Sequence, residues 1–274
     1  MDIKRILLPE RDGAGRLGRN VVHDPRSRHY AYRARSGKLR TVTHTRFMSI
    51  IDQGDTGMCT GAAAVAAVGT SPLHEAAPAA TLDHRTALAV YSEATRLDEF
   101  SGTYPPDDTG SSGLAVAKAL TARGWIGGYS HAFSMTDALG AVVEGPVITG
   151  VEWQDTMDTP DADGFIRVTA SSSPRGGHEV CVAGVDVDRK AVLVVNSWGE
   201  SWGLRGCAWL TWDDWEALLD RDGDVTVLRP ATGAEPPTRD AALRKAFERG
   251  NWVNRVHLGE TGRVARAARA WLAA

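Results

Sequence analysis

The sequence predicts an α+β fold, because helical patterns fill its first half and strand patterns fill its second. Between residues 59 and 143 the apolar side chains recur every three or four positions, which is typical of helices that bury one face. From Pro146 onward they form short Val- and Ile-rich runs, which are typical of strands. We therefore expect helices and strands to be segregated along the chain.

Four helices are predicted from this spacing. The first begins at Cys59 and runs through an Ala-rich stretch to Val68, where Gly69-Thr70-Ser71-Pro72 ends it. The third ends at Gly124. The predicted helices cover residues 59–68, 83–97, 113–123 and 134–143.

Six strands are predicted in the second half, with Asp188-Arg189 as the hairpin turn between the third and the fourth. An alternating stretch at residues 29–34 is predicted to be a short edge strand. The six strands cover residues 147–151, 164–168, 178–187, 191–196, 207–212 and 225–228.

Charge and composition divide the chain into three parts. Residues 1–45 form a basic N-terminal extension, residues 46–230 a central domain, and residues 236–274 a basic C-terminal tail. Two amphipathic helices are predicted in the tail, at residues 238–249 and 262–272. We expect them to dock on the central domain, and the alternative is a role in binding a partner or covering the cleft.

The net charge of −3 hides an uneven distribution of charge. Residues 1–46 carry 12 basic and 4 acidic side chains, whereas residues 47–237 carry 11 and 27. The simplest explanation is that basic flanks lie against an acidic body, and the alternative is an arm that binds a polyanion. No aromatic-rich basic motif supports the second explanation, so we do not expect a nucleic-acid partner.

Several classes of function are not expected. The histidines and cysteines lack the spacing of metal ligands, and no nucleotide-binding glycine motif is present, so we expect neither metal nor cofactor. No apolar run approaches the length of a membrane span, and the N-terminus does not resemble a signal peptide. Cys59, Cys181 and Cys207 do not form a disulfide framework, and we expect the last two to be buried thiols. A reducing cytoplasmic location is expected, and the Ala- and Arg-rich composition is typical of a high-GC bacterium or its phage.

The stretch Gln53–Cys59 leads directly into the first predicted helix. A thiol at a helix N-terminus lies where unpaired N–H groups and the helix dipole stabilise negative charge. Because the thiolate is the nucleophilic form of cysteine, this position suits reactive-cysteine chemistry. Far downstream, Gly176-Gly177-His178 begins one apolar strand and Asn196-Ser197-Trp198-Gly199 follows the next.

Together these motifs resemble the papain-like cysteine peptidases. Residues 53–59 are similar to the nucleophile loop of that family, Gly177-His178 to the segment of its base, and residues 196–203 to its Asn-Ser-Trp-Gly-x-x-Trp-Gly element. The resemblance covers about residues 45–230 and implies a two-lobed fold: a helical lobe, an antiparallel β-sheet or barrel lobe, and an active site in the cleft between them. It also implies a thiol-dependent peptidase that hydrolyses protein or peptide substrates through a thioester acyl-enzyme.

The resemblance implies four catalytic residues. Cys59 is expected to be the nucleophile, with its pKa lowered by the helix N-terminus and by a facing His178 imidazolium. His178 is expected to donate a proton to the leaving amine, and Asn196 to orient its ring. The side chain of Gln53 and the backbone N–H of Cys59 are expected to bind the oxyanion.

Six further residues are predicted to lie at the substrate. Trp198 is similar to the indole that shields the His–Asn bond in the family, and Gly110-Ser111 to the strip that pairs with the substrate backbone. If Glu179 lines the second specificity pocket it favours basic or polar side chains, and the alternative is a solvent-facing strand residue. The full set is Gly57, Gly110, Ser111, Gly177, Glu179 and Trp198.

The sequence departs from the family pattern in two places near the nucleophile. Thr60 follows Cys59 where the family commonly has Trp, and Thr56 stands where it has a second Cys. The N-terminal extension is also too short to resemble an inhibitory propeptide, so we expect that form of control to be missing.

Other functions are compatible with the same residues. A cell-wall amidase or isopeptidase, or a transglutaminase-like acyl transferase, would use the same chemistry on another substrate. A protein of a different class would keep the fold for binding only, without catalysis.

Overall fold

The computed structural model describes residues 2–4, 16–35, 37, 39–75 and 82–231. The two predicted tail helices, at residues 238–249 and 262–272, lie outside the described residues. No helix in the described part of the chain is long and apolar enough to cross a membrane.

Side-chain caps begin four of the five α-helices in the described residues. The caps are Asp83, Ser112, Ser134 and Thr211, each of which accepts a hydrogen bond from a backbone N–H in the first turn. The first helix differs, because Met58 precedes it and offers no side-chain cap. The helices are α1 (Cys59–Val68), α2 (His84–Leu97), α3 (Gly113–Ala122), α4 (Met135–Glu144) and α5 (Trp212–Leu219).

In the described part of the chain, ten strands form two sheets. The strands are β1 (Asp2–Lys4), β2 (Val21–His23), β3 (Val42–Thr43), β4 (Gly128–Ala132), β5 (Val147–Gln154), β6 (Phe165–Ile166), β7 (Pro174–Asp186), β8 (Ala191–Val195), β9 (Cys207–Thr211) and β10 (Asp224–Arg229). β1 pairs only with β2, and the other eight make one sheet in the order β4-β10-β5-β7-β8-β9-β6, with β3 also paired to β7. All of these pairs are antiparallel except β6 with β9.

Apolar cores cover both faces of the large sheet. On one face α1, α2 and α3 pack together, α1 packs onto β7 and α3 onto β10, and α1 is buried at all ten of its positions. On the other face α4 and α5 contribute to a second cluster. Cys181 and Ala183 of β7 belong to the first cluster, and Val180 and Val182 to the second, as the pleat of a strand requires. The predicted α+β fold is therefore confirmed.

This arrangement brings the distant motifs together. Cys59 begins α1, α1 packs on β7, and His178 lies within β7. Asn196 directly follows β8, which pairs with β7 through Cys181 and Val195. Residues 59, 178 and 196 are thus held on three neighbouring elements.

Some local predictions were wrong. Residues 29–34 do not form an edge strand: a 3₁₀ helix covers Pro25–Tyr30, capped by Asp24, and only Ala31 makes a single bridge, to His131. β6 has two residues where five were predicted. Neither β4 nor α5 was predicted. Cys181 and Cys207 are free and buried, as expected.

Candidate active site

Cys59 is the first residue of α1 and is completely buried. Three backbone N–H groups, those of Glu179, Gly18 and Thr60, lie within hydrogen-bonding reach of its thiol. Glu179 directly follows His178 in the sequence, so this contact places the sulfur beside the strand that carries His178. The thiol therefore lies where the uncapped start of α1 meets β7.

His178 is bonded to Asn196. Its Nε2 lies 2.8 Å from Asn196 Oδ1, and the same Oδ1 accepts a hydrogen bond from the backbone N–H of Ser197 at 2.8 Å. Because an N–H group donates to this atom, it is the amide oxygen, and His178 must carry its proton on Nε2. The other ring nitrogen, Nδ1, is buried and has no hydrogen-bond partner among the described residues. In a neutral ring Nδ1 is thus free to accept a proton.

Tryptophans enclose the His178 ring. Trp198 stacks on it with ring centroids 5.0 Å apart, and Trp153 meets it edge-on at 4.9 Å. Trp202 contacts both indoles. These rings exclude water from the His178–Asn196 bond, which strengthens it.

Gln53 is buried, and hydrogen bonds hold both the oxygen and the nitrogen of its side-chain amide. Its Oε1 accepts a hydrogen bond from Ser197 Oγ at 2.6 Å. Its Nε2 donates to the carbonyl oxygens of Thr56 at 2.8 Å and of Arg16 at 3.0 Å. The amide N–H₂ group of Gln53 is therefore directed at a peptide carbonyl.

The carbonyl of Arg16 belongs to a stretch of the N-terminal extension, residues 16–20, which we call the N-terminal segment. It makes a series of main-chain hydrogen bonds along the site. Arg19 N–H donates to Gly177 O at 2.9 Å, Ser111 N–H donates to Gly18 O at 2.9 Å, and Asn20 N–H donates to Ser111 O at 2.6 Å. The pairing of Arg19 with Ser111 is parallel. The segment thus runs as an extended strand past the thiol, the histidine strand and the Gly110-Ser111 strip.

The N-terminal segment lies in close contact with the nucleophile loop at Gly18. A Cβ added to Gly18 would lie only 2.0 Å from the carbonyl oxygen of Gly57, so no side chain larger than hydrogen fits at residue 18. The N-terminal extension was expected to be too short to resemble an inhibitory propeptide. The structure instead places residues 16–20 of that extension in the cleft.

Burial changes the protonation of both reacting groups. It raises the pKa of the Cys59 thiol to about 12, although the surrounding N–H groups act to lower it. It also lowers the pKa of His178 to about 4, against the hydrogen bond with Asn196, which acts to raise it. Under the segment the pair is a neutral thiol and a neutral imidazole at pH 7. The prediction of a lowered Cys59 pKa is therefore wrong for the covered site.

Asp108 and Tyr91, which were not predicted as site residues, hold the loops around Gly57 and Gly110 in place. Asp108 accepts hydrogen bonds from the Gly57 backbone N–H at 2.8 Å and from the Tyr91 hydroxyl. The same Tyr91 oxygen accepts from the Gly110 N–H at 2.9 Å. Asp108 also pairs with the guanidinium of Arg16 at 3.2 Å. The three groups link the nucleophile loop, the Gly110-Ser111 strip and the segment.

The structure brings together all ten predicted site residues. Glu179 lies immediately beyond His178, fully buried, and so it is not a solvent-facing strand residue. Trp153 and Ser197 were also missed, together with Asp108 and Tyr91. Ser197 carried a signal, because it lies within the Asn-Ser-Trp-Gly motif, whereas Trp153 lies beyond the strand that was predicted at residues 147–151.

Among the described residues, no three His, Cys, Asp or Glu side chains are grouped so as to hold a metal ion.

Solved protease structures share this architecture. Xylellain, a cysteine protease from Xylella fastidiosa, is similar with a TM-score of 0.64 at 18% sequence identity, over 82% of this chain and 99% of that chain. Digestive procathepsin L 3 from the larval midgut of Tenebrio molitor gives a TM-score of 0.54 at 14% identity, over 73% of both chains. No protein-family model and no curated protein matches the sequence. The chain has the fold of the papain-like cysteine proteases.

Proposed function

We propose that the chain is a thiol-dependent peptidase that hydrolyses peptide bonds through a thioester on Cys59. One observation carries this proposal: the cleft already holds an extended peptide. The peptide carbonyl of Arg16 accepts a hydrogen bond from Gln53 Nε2, and the neighbouring Gly18 N–H lies at the Cys59 thiol. A cleft that binds peptide main chain at its nucleophile is suited to peptide substrates.

The first step uses the groups around the thiol. When substrate replaces the segment, His178 Nδ1 takes the Cys59 proton, and the sulfur attacks the carbonyl carbon. The developing oxyanion receives hydrogen bonds from Gln53 Nε2 and from the Cys59 backbone N–H at the uncapped start of α1. The protonated His178 then gives its proton to the leaving amine, which breaks the C–N bond and leaves a thioester.

The second step regenerates the thiol. Water attacks the thioester carbon while His178 accepts its proton; the C–S bond then breaks, the carboxylic acid leaves, and the proton on His178 returns to the Cys59 sulfur. Asn196 holds the Nε2 proton through both steps, so that Nδ1 is always the nitrogen that exchanges protons. The Trp198 indole keeps water away from that bond.

Peptide hydrolysis tests the proposal. The full chain is incubated in reducing buffer with a mixed fluorogenic peptide library, beside a Cys59→Ala variant and a matched Cys181→Ala variant, since Cys181 is also a buried free thiol. We expect cleavage by the wild type and by Cys181→Ala, and none by Cys59→Ala. The same chains are treated with an epoxide probe for reactive cysteines, which should label Cys59 alone.

The outcomes separate the alternative functions. Cleavage of purified cell wall in place of peptides would indicate an amidase, and amine-dependent product formation would indicate an acyl transferase. A Cys59 that neither reacts with the probe nor supports cleavage after the segment has been released would overturn the enzyme proposal and leave a binding protein.

A further inference from the structure

The side chain of Arg19 is buried, with 2% of its surface exposed, although it belongs to a basic extension. Its guanidinium Nη2 bonds the Asp224 carboxylate, and it donates to the Asp222 carbonyl oxygen at 2.8 Å. Its Nε lies 3.9 Å from Glu179 Oε2. Arginine is rarely buried without paired charges, and here two carboxyl groups receive it.

Two glycines, Gly113 and Gly150, leave the space that the Arg19 side chain and its partners occupy. A Cβ on Gly150 would lie 2.2 Å from Arg19 Nε, and one on Gly113 would lie 2.7 Å from Glu179 Oε1. Any larger residue at either position would fill the space that the guanidinium and the carboxyl group use. We call this cavity the acidic pocket; its lining is Gly113, Gly150, Glu179, Asp224 and Thr226.

The acidic pocket is suited to a cation, because the Asp224 carboxylate and the Glu179 carboxyl group both face the guanidinium. Glu179 is fully buried, and neither of its carboxylate oxygens has a hydrogen-bond partner among the described residues. Burial and the nearby Asp224 raise the pKa of Glu179 well above its ordinary value, although the Arg19 guanidinium acts to lower it. Without Arg19 an unpaired carboxyl group would remain in the protein interior, which is costly.

The pocket opens next to the reacting groups. The Arg19 N–H donates to the carbonyl oxygen of Gly177, the residue before His178. Glu179 is the residue after His178, and its N–H lies at the Cys59 thiol. A peptide side chain that enters this pocket therefore belongs to a residue whose main chain pairs with Gly177, the residue before His178.

We propose that the acidic pocket is the specificity site of the peptidase, that it selects an arginine or lysine side chain of the substrate, and that Arg19 occupies it in place of the substrate. The inference rests on the proposed peptidase function and identifies the substrate class. It also explains why the N-terminal segment stays in the cleft, because Arg19 makes the same ion pairs that the substrate makes. Substrate and segment compete for one site.

The first test is release of the segment. Full-length Arg19→Ala, Arg19→Lys and Arg28→Ala chains are compared, since Arg28 lies in the same extension but is exposed. The rate of Cys59 alkylation by iodoacetamide is followed by peptide mass mapping. We expect Arg19→Ala to raise the rate about tenfold or more, because it leaves the buried Glu179 and the partly buried Asp224 without their cation. Arg19→Lys and Arg28→Ala should stay near the wild-type rate, and equal rates for all four chains would overturn the role of Arg19.

The second test is selectivity. Peptides that differ at one position, carrying Arg, Lys, citrulline or Leu, are hydrolysed by the Arg19→Ala chain, and the position is moved along the peptide. Citrulline keeps the shape of arginine and lacks its charge. At one position we expect kcat/KM for Arg and Lys to exceed that for citrulline by about tenfold or more. Adding Glu179→Gln should remove most of this preference, and an active enzyme without any preference would overturn the pocket assignment.

A binding measurement separates the two proposals. The peptide Arg-Leu-Gly-Arg-Asn-Val-Val-His, which copies residues 16–23, is titrated by calorimetry into the Cys59→Ala/Arg19→Ala chain. We expect it to bind, and the version with citrulline in place of Arg19 to bind about tenfold more weakly or not at all. This result would support the pocket even if no peptide is cleaved, in which case only the peptidase proposal fails. Equal binding of both peptides, or binding of neither, would overturn the pocket.

Discussion

The side-chain amide of Gln53 donates a hydrogen bond to the main-chain carbonyl oxygen of Arg16, at 3.0 Å. Ser197 Oγ holds the other end of the same amide at 2.6 Å, so the donor is oriented before any substrate arrives. Such preorganised donors contribute to catalysis because they need no rearrangement when charge develops. The donor that we propose for the oxyanion is therefore occupied by the N-terminal segment in this structure.

Replacing Gln53 by Ala should lower kcat by about 10²–10³-fold, the usual cost of removing one oxyanion donor. KM should change little, because the donor acts mainly on the charged intermediate. The matched control is Ser197→Ala, which removes the bond to Gln53 Oε1 and leaves the donor in place, and it should lower kcat less. Equal losses in both variants would mean that Gln53 is a structural residue. Steady-state kinetics with one fluorogenic peptide decide this.

Replacing Asn196 by Ala should lower kcat by about 10²-fold, because His178 would lose the bond that holds its proton on Nε2. Asn196→Gln is the companion variant, since it keeps the amide and displaces it by one methylene group. The kcat values of both chains are compared with their thermal unfolding midpoints. A loss of stability without a loss of kcat would contradict the positioning role.

Protonation of His178 should make stability depend on pH. Burial lowers its pKa to about 4 in the folded chain, against an ordinary value near 6.5 in the unfolded chain. Between these two values the unfolded chain binds the extra proton, so stability falls as the pH drops from about 6.5 to about 4. At pH 5 this amounts to about 2 kcal/mol of lost unfolding free energy relative to pH 7.

Urea unfolding of the wild type and of His178→Gln at pH 7 and pH 5 measures this effect. The loss on acidification should be smaller in the variant, because Gln does not titrate. Other buried histidines, His44 and His131, whose pKa values are also lowered by burial, remain in both chains and cancel in the comparison. Identical pH dependence in the two chains would show that His178 already carries its proton in the folded protein.

Adding a methyl group at Gly18 should drive the N-terminal segment from the cleft. A Cβ there would overlap the Gly57 carbonyl group, whereas a Cβ on Gly37 would approach no atom closer than 3.9 Å. Gly18→Ala is therefore expected to speed both peptide turnover and Cys59 alkylation, with Gly37→Ala as the matched control. Once water and the start of α1 reach the thiol, its pKa should fall from about 12 toward the range of about 3.5–7.5 seen for reactive cysteines.

The pH profile of alkylation checks that shift. In the wild type the rate should still be rising at pH 9, because the covered thiol is protonated there. In Gly18→Ala it should level off near neutral pH. Superimposable profiles would mean that the segment does not control the protonation of Cys59.

The sequence predicted the elements that carry a local pattern. The Ala-rich stretch after Cys59 became α1, and the apolar runs around His178 and before Asn196 became β7 and β8. The resemblance of the motifs to the papain-like peptidases also implied the four residues that the fold brings together. These signals succeed because elements buried on all sides, such as α1 and β8, leave continuous runs of small or apolar residues in the sequence.

The remaining features depend on contacts between distant parts of the chain. Arg19 reads as one arginine among many in a basic extension, and its partners Glu179 and Asp224 lie 160 and 205 residues away. α5 was hidden because Thr211, the last residue of β9, is also its cap. The strand expected at residues 29–34 failed because Asp24 and Pro25 begin a 3₁₀ helix, a local preference that overrides alternation.

The most direct test of the account is to trap the acyl group on Cys59. The Gly18→Ala chain is mixed with a peptide substrate, quenched in acid within the first turnover, and analysed by peptide mass mapping. We predict a mass increase on the Cys59 peptide equal to the N-terminal part of the substrate, sensitive to hydroxylamine as a thioester is, and absent from Cys59→Ala. Hydrolysis that proceeds without this adduct and survives Cys59→Ala would contradict the proposed mechanism.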